Sequence, residues 1–189
     1  MYNDPVRKSR FGSRGMTDEE IEQFLGRIRY GTLCYTGDDG WPDSRVFNFS
    51  YWNGNFYFHT HKVQGEKLPF ICGGQRASIN FYEPSPDVGL MRYCQHNSVI
   101  VYGHVSRIDN KPETHDEAME GLREMCLSGG TPFKIEPEKF EIFSKTCAVL
   151  RFVPIYKAGK ITIFTSLPEM SYLEQQHYRL TPQAQTEQK

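Results

Sequence analysis

Residues 45–60, Arg45-Val-Phe-Asn-Phe-Ser-Tyr-Trp-Asn-Gly-Asn-Phe-Tyr-Phe-His-Thr60, carry the pattern that decides the fold. Arg45, Phe47, Phe49 and Tyr51 alternate with Val46, Asn48 and Ser50, the two-residue period of a strand. Asn53-Gly54 is a strong hairpin turn, because both residues accept the positive φ that a tight hairpin demands. Asn55 to Thr60 returns as a second strand, with Phe56 and Phe58 on one face and Tyr57 and His59 on the other.

Upstream, Gly31 to Thr36 is a further strand and Gly37-Asp-Asp-Gly40 a turn, so three antiparallel strands in meander order are expected. Ahead of them, Thr17 and Glu20 form a capping box, and Ile21, Phe24, Leu25 and Ile28 share one helical face. Downstream, Gln64 to Cys72 reads as a short helix limited by Pro69. Ala77 to Tyr82 and Ser98 to Ile108 read as strands, with Gly103 marking a bend or bulge. Pro112 opens a helix that groups Ala118, Met119, Leu122, Met125 and Cys126 and ends at the turn residues 128–132. Ala148 to Val153 and Lys160 to Thr165 are expected as two closing strands joined through Pro154 and Gly159. The pattern predicts an α+β fold: a small antiparallel β-barrel of about six strands with flanking helices.

The 189 residues suit a single domain, 1–189, with a polar basic arm at 1–15 and a frayed tail at 181–189. A net charge of -1 gives no electrostatic reason to expect a nucleic-acid partner. A mean hydropathy of -0.59, with no long apolar run, argues against a membrane-embedded chain. The five cysteines are odd in number and lack CxxC spacing, which disfavours a disulfide scaffold or zinc knuckle and fits a reducing cytoplasm. Aromatic residues reach 14%, more than an unfolded chain carries, so the rings cover either a β-rich core or a flat ligand. Trp41, Trp52, Tyr93 and Tyr172, in or beside expected loops, are the rings a ligand would use.

Phe58 to Leu68 is the stretch richest in chemistry. A strand ends at His59, Thr60 and His61, a loop passes through Gly65, and Lys67 falls in the first turn of the expected helix. A hydroxyl, helix-terminal amides and an ammonium are what a phosphate ester requires. The same stretch admits a metal reading, in which His59, His61 and Glu66 act as ligands in a cupin-like barrel. No PxG-plus-histidine follows to complete that set, and the chain has neither GxGxxG nor a P-loop.

The order Gly31-Thr-Leu, Gly40-Trp-Pro42, Asn48-Phe-Ser-Tyr51, Tyr57-Phe-His-Thr60 with Gly65-Glu-Lys67, then Asn97-Ser-Val-Ile-Val-Tyr-Gly103, resembles a known series. It is similar to the FMN-binding split β-barrels of the pyridoxamine 5′-phosphate oxidase-like superfamily, and within it to the nitroimidazole-resistance branch. The resemblance implies a homodimer with FMN at the subunit interface, acting as an oxidoreductase on a small planar, nitroaromatic-like substrate. It places His59, Thr60, His61, Gly65 and Lys67 about the phosphate, Val46, Phe47 and Asn48 at the flavin edge, and Ser98 near the ribityl-phosphate end. Two departures stand out: Phe47 occupies a common proline position and Asn97 a common arginine position. The alternative the resemblance leaves open is a flavin- or haem-binding protein without turnover, with His61 as a possible axial ligand.

Overall fold

The computed structural model describes residues 15–62, 73–84, 96–126 and 135–161. Helix α1 (Asp18–Arg27) leads into β1 (Tyr30–Thr36), β2 (Pro42–Asn48), β3 (Ser50–Trp52), β4 (Asn55–His61), β5 (Gly73–Pro84) and β6 (His96–Arg107). A 3-10 turn (Pro112–Thr114), α2 (His115–Cys126), α3 (Pro137–Thr146) and β7 (Cys147–Ile161) follow. The expected capping box is in place: the Glu20 amide donates to Thr17 Oγ1 at 3.2 Å, and the Thr17 amide to Glu20 Oε2 at 2.7 Å.

All strand pairs are antiparallel, and the strands form one seven-stranded sheet in the order β2-β1-β5-β6-β7-β4-β3. The two ends of that order, β2 and β3, are separated in sequence by Phe49 alone, so the sheet must curl until its edges meet. The expected single strand from Arg45 to Tyr51 is therefore two strands, and the expected meander is split between opposite edges of the sheet. The break has a local cause. The Phe49 amide donates to the Arg29 carbonyl at 2.8 Å instead of to a strand partner, and its ring is buried in the barrel.

Phe24, Phe49, Phe56, Phe58, Phe81 and Phe152 fill the barrel together with Leu33, Ile79 and Val101. Burying such a side chain stabilises the fold by roughly 1.5–3 kcal/mol. A second core lies outside the barrel, where Tyr57 and Val149 pack against Ala118, Leu122 and Met125 of α2 and Phe140 of α3. Gly121 permits this approach, since a Cβ there would sit 2.3 Å from the Tyr57 ring. Tyr57 donates its hydroxyl to Glu117 at 2.7 Å, and Arg151 donates to both oxygens of the same carboxylate.

The anticipated irregularity at Gly103 is present, and it explains a second correction. Tyr102 pairs with Tyr156 but Gly103 pairs with Pro154, leaving Ile155 as an extra residue in β7. Because the bulge absorbs Pro154, which lacks a ladder N–H, the two expected closing strands are one strand of 15 residues. Helix α3 was not expected from the pattern; Pro137 at its first turn is its one clear start signal. The 3-10 turn also delays the helix expected from Pro112 until His115. The helix expected over 64–72, the turn at 128–132, residues 1–14 of the expected arm and the tail lie outside the described residues, as do 162–165 of the last expected strand, while Gly15 at the end of the arm bridges to Lys160. Among the described residues, no helix is long and apolar enough to cross a membrane.

Candidate functional site

The unpaired seam between β2 and β4 is the first feature to consider. Inside the barrel, the Phe47 and Phe58 ring centroids lie 4.8 Å apart and those of Phe49 and Phe56 6.2 Å apart. Phe49 also meets Phe58 at 4.9 Å, so the two edges face each other through their rings without a ladder register. Two residues beyond Phe47 and Phe58 on the same inward faces come Arg45 and Thr60. Arg45 is 44% exposed, and its contact to Asp43 is long, at 3.9 Å. Asp43 is also engaged by Tyr35, whose hydroxyl donates to it at 2.6 Å. Burial, reinforced by that carboxylate, pushes the Tyr35 phenol up to about 12. The inner faces of the two edge strands thus carry a guanidinium on β2 and a hydroxyl on β4, the latter three residues before the segment 63–72 that contains Gly65 and Lys67.

Arg45 was not among the residues singled out from the sequence. Its signal was present in the alternation Arg45–Phe47–Phe49, which already places it on the barrel face with the two phenylalanines.

The pleat of β4 sends the His59 ring and the Thr60 hydroxyl to opposite faces. His59 lies beneath α3, its ring 5.2 Å from that of Phe143, and its Nδ1 is buried without a hydrogen-bond partner. Burial lowers its pKa, so the ring is held neutral. His61 is exposed. Glu66, Gly65 and Lys67 lie outside the described residues, and no group of three metal-ligating side chains occurs among the described ones.

On β2, Phe47 points into the barrel, while Val46, 70% exposed, and half-buried Asn48 face outward. Asn48 pairs with Tyr30, and Ser98 pairs with Tyr82 and Lys160. Continuing the β1–β5 register sets Tyr30 beside Tyr82, so Asn48 and Ser98 share one row of the outer face. Three strand spacings separate them, about 14 Å at ~4.8 Å each. His59, by contrast, pairs with Val149, at the other end of β7 from Lys160. One copy of the chain therefore divides the candidate residues into a seam group (Phe47, Thr60, with Arg45), a helix-side residue (His59) and an outer row (Asn48, Ser98). That row belongs to an uncovered sheet face on which Tyr30, Val46, Tyr82 and Ile155 are all exposed. Trp41 is 73% exposed in the β1–β2 turn. Trp52 is not a free loop ring: it packs into the helix-side core, 5.7 Å from Tyr57. Tyr93 and Tyr172 lie outside the described residues.

A seven-stranded antiparallel sheet curled to an open seam, with helices over one side, is a split β-barrel of the α+β class. The chain belongs to the family described as pyridoxamine 5′-phosphate oxidase, whose model matches residues 17–154. No curated protein matches the sequence. Among solved structures, the FAD-binding protein from Mycobacterium smegmatis superposes with a TM-score of 0.55 at 19% identity, over 79% of this chain and 98% of that one. A protein described as a 5-nitroimidazole antibiotic resistance protein from Bacteroides thetaiotaomicron gives 0.56 at 18% identity, over 78% and 86%. The FAD and heme binding protein from Mycobacterium smegmatis gives 0.57 at 12% identity, over 86% and 78%. At these identities the likeness speaks for the fold.

Proposed function

We propose that the protein is an FMN-binding oxidoreductase that works as a homodimer on a small planar substrate of the nitroaromatic type. The observation that carries this reading is the seam, with Arg45 on the inner face of β2, where it pairs with buried Leu33, and Thr60 on the inner face of β4, shortly before Gly65 and Lys67 in sequence. Family membership supports a flavin, and the donor set at the seam suits one phosphate ester. Arg45 and Lys67 would supply the positive charge, and Thr60 a hydroxyl donor. Bound flavin would supply hydride and single-electron chemistry.

What the chain itself does is bind, orient and shield. Phe47 and Phe58 close the barrel beneath the seam and keep water from its floor. Asn48 presents a carboxamide on the outer face of the same strand that carries Arg45. Ser98 lies three strands away from it, so a ligand held by both groups at close range would take one of them from a second copy. The uncovered face with Tyr30, Tyr82 and Ile155 suits that second copy. Asn48 and Ser98 are the groups available to orient a ring at such a contact.

The purified protein should be yellow, with an absorbance band near ~450 nm and a heat-released cofactor of the mass of FMN. A Soret band in place of the flavin band would instead favour the haem-binding reading. Lys67→Ala should lose FMN on gel filtration while keeping its melting temperature. Unchanged FMN retention in that variant would remove the cradle.

A further inference from the structure

Helices α2 and α3 leave a groove between them on the part of the sheet they cover. Lys62, Asp109, Met119, Arg123, Phe140 and Glu141 are among the residues that line a cavity there of about 510 Å³. That volume falls within the ~300–1,000 Å³ range of small-molecule sites. The two helices run antiparallel. The Ile135 amide donates to the Cys126 carbonyl where α2 ends, and the Lys62 amide donates to the Thr146 carbonyl where α3 ends. Helix α2 rests on β3, β4 and β7, so the groove lies off the uncovered face, which belongs to β1, β2, β5, β6 and the end of β7. The sheet itself separates it from the barrel interior: Tyr57 and Val149 face the helices, whereas Phe58 and Leu150 face the barrel.

A cation stands at each end of the groove. At one end the Lys62 ammonium donates to the Lys145 carbonyl at 2.9 Å, which leaves two of its N–H groups without a partner among the described residues. At the other, the Arg123 guanidinium lies over the Phe140 ring, 5.2 Å from its centroid. Its one hydrogen bond, 3.1 Å to Glu120, leaves most of its fork unused. Lys62 is thus held at the level of Lys145 and Arg123 at the level of Phe140, about 7.5 Å apart along α3 at ~1.5 Å per residue. The floor between them is apolar, formed by Met119 and Phe140.

The two carboxylates that line the groove do not cancel these charges. The Asp109 side chain is only 5% exposed, and it accepts from Arg107 at 2.8 and 2.9 Å and from the Val149 amide at 2.9 Å. Glu141 is 81% exposed and holds Lys145 at 2.8 Å, which places it at the rim. A positive excess therefore remains inside the groove, although the whole chain carries a net charge of -1.

We infer that this groove binds an elongated organic dianion, with one acid group on Lys62, the other on Arg123 and an apolar middle over Met119 and Phe140. Arg123 offers a planar fork to a carboxylate, and stacking on Phe140 fixes the plane of that fork in advance. Lys62 offers a point charge, which is less demanding in geometry. The unbranched thioether of Met119 adapts to a flexible chain lying across it. The inference does not rest on the flavin reading.

The test is calorimetric titration of the full chain, as purified, with the dicarboxylate suberate. Octanoate, of the same length with one acid, and succinate, with two acids close together, are the controls. Saturable binding of suberate at one site per chain is expected, at least ~10-fold tighter than either control. Arg123→Gln and Lys62→Gln should each weaken suberate at least ~10-fold and change octanoate by no more than about twofold, because one cation remains for a single acid. Both side chains reach solvent, so the variants should melt with the wild type and keep its flavin content. Absence of saturable suberate binding overturns the proposal, as does octanoate binding as tightly as suberate. Unchanged suberate affinity in either variant also overturns it. So does loss of flavin in either variant, because the groove would then belong to the flavin site. A wild-type chain without flavin bears on the proposed function alone, since the suberate titration reads out without it.

Discussion

Replacing Arg45 with alanine separates the anion-binding role of the seam from its structural role. The structural cost is small, because Arg45 and Asp43 are both nearly half exposed and their contact is 3.9 Å long. An exposed pair of that kind contributes ~0–1 kcal/mol. The binding cost is larger. Charge-assisted hydrogen bonds contribute about 1.5–3 kcal/mol each. At ~1.4 kcal/mol per decade, losing one such bond weakens FMN by about 10- to 150-fold. Riboflavin shares the ring and ribityl chain but lacks the phosphate, so its affinity should be unchanged by the substitution. The assay is quenching of flavin fluorescence, titrating flavin-stripped wild type and Arg45→Ala with FMN and with riboflavin at fixed ionic strength. FMN binding by the wild type should also fall as salt is raised, and less steeply for the variant. Equal weakening of FMN and riboflavin would refute the reasoning, since Arg45 would then support the barrel and not the phosphate. So would an FMN affinity that does not change.

Phe58→Ala removes a fully buried ring that contacts Phe47 at 4.8 Å and Phe49 at 4.9 Å. It should cost about 3–5 kcal/mol in chemical denaturation and open the seam to water. His59 supplies a pH dependence. Its folded pKa is lowered by burial, so the unfolded chain protonates first as pH falls, and stability should drop from pH ~6.5 downward until the folded ring also protonates. His59→Gln should flatten that part of the stability–pH curve in urea melts, and an unchanged slope would exclude His59 as its source.

The sequence made the barrel legible through its periodicity. Alternation alone placed Phe56 and Phe58 on one face of β4 and Tyr57 and His59 on the other, and the barrel core and helix-side core divide along that line. Alternation could not reveal that the run from Arg45 to Tyr51 breaks at Phe49, because Phe49 keeps its inward direction while its backbone partner changes from a strand to Arg29. It could not separate a Pro154 that ends a strand from one absorbed by a bulge, since that depends on the register of β6. Helix α3 stayed hidden because its buried face is thin, with Phe140 buried and Phe143 only partly so. The candidate residues were named by resemblance in sequence order, but which side of each strand they occupy became visible only in the sheet register.

The break at Phe49 also explains why a site should form where it does. A barrel with continuous pairing has no free backbone edge, and this one leaves two. β3 covers β4 only from Asn55 to Tyr57, so the stretch from Phe58 to His61 faces β2 without a ladder. Exposed edges invite pairing with other chains unless charge or a ligand occupies them. Pro42, Asp43 and Arg45 guard the β2 side, and the pleat brings Arg45 to the inner face, where it pairs with buried Leu33. The aromatic richness of the chain then divides by geometry: phenylalanine fills the barrel, while Tyr30 and Tyr82 stand exposed on the outer face. The near-neutral net charge is compatible with this arrangement, because one phosphate requires a few cations at a seam and not a basic protein.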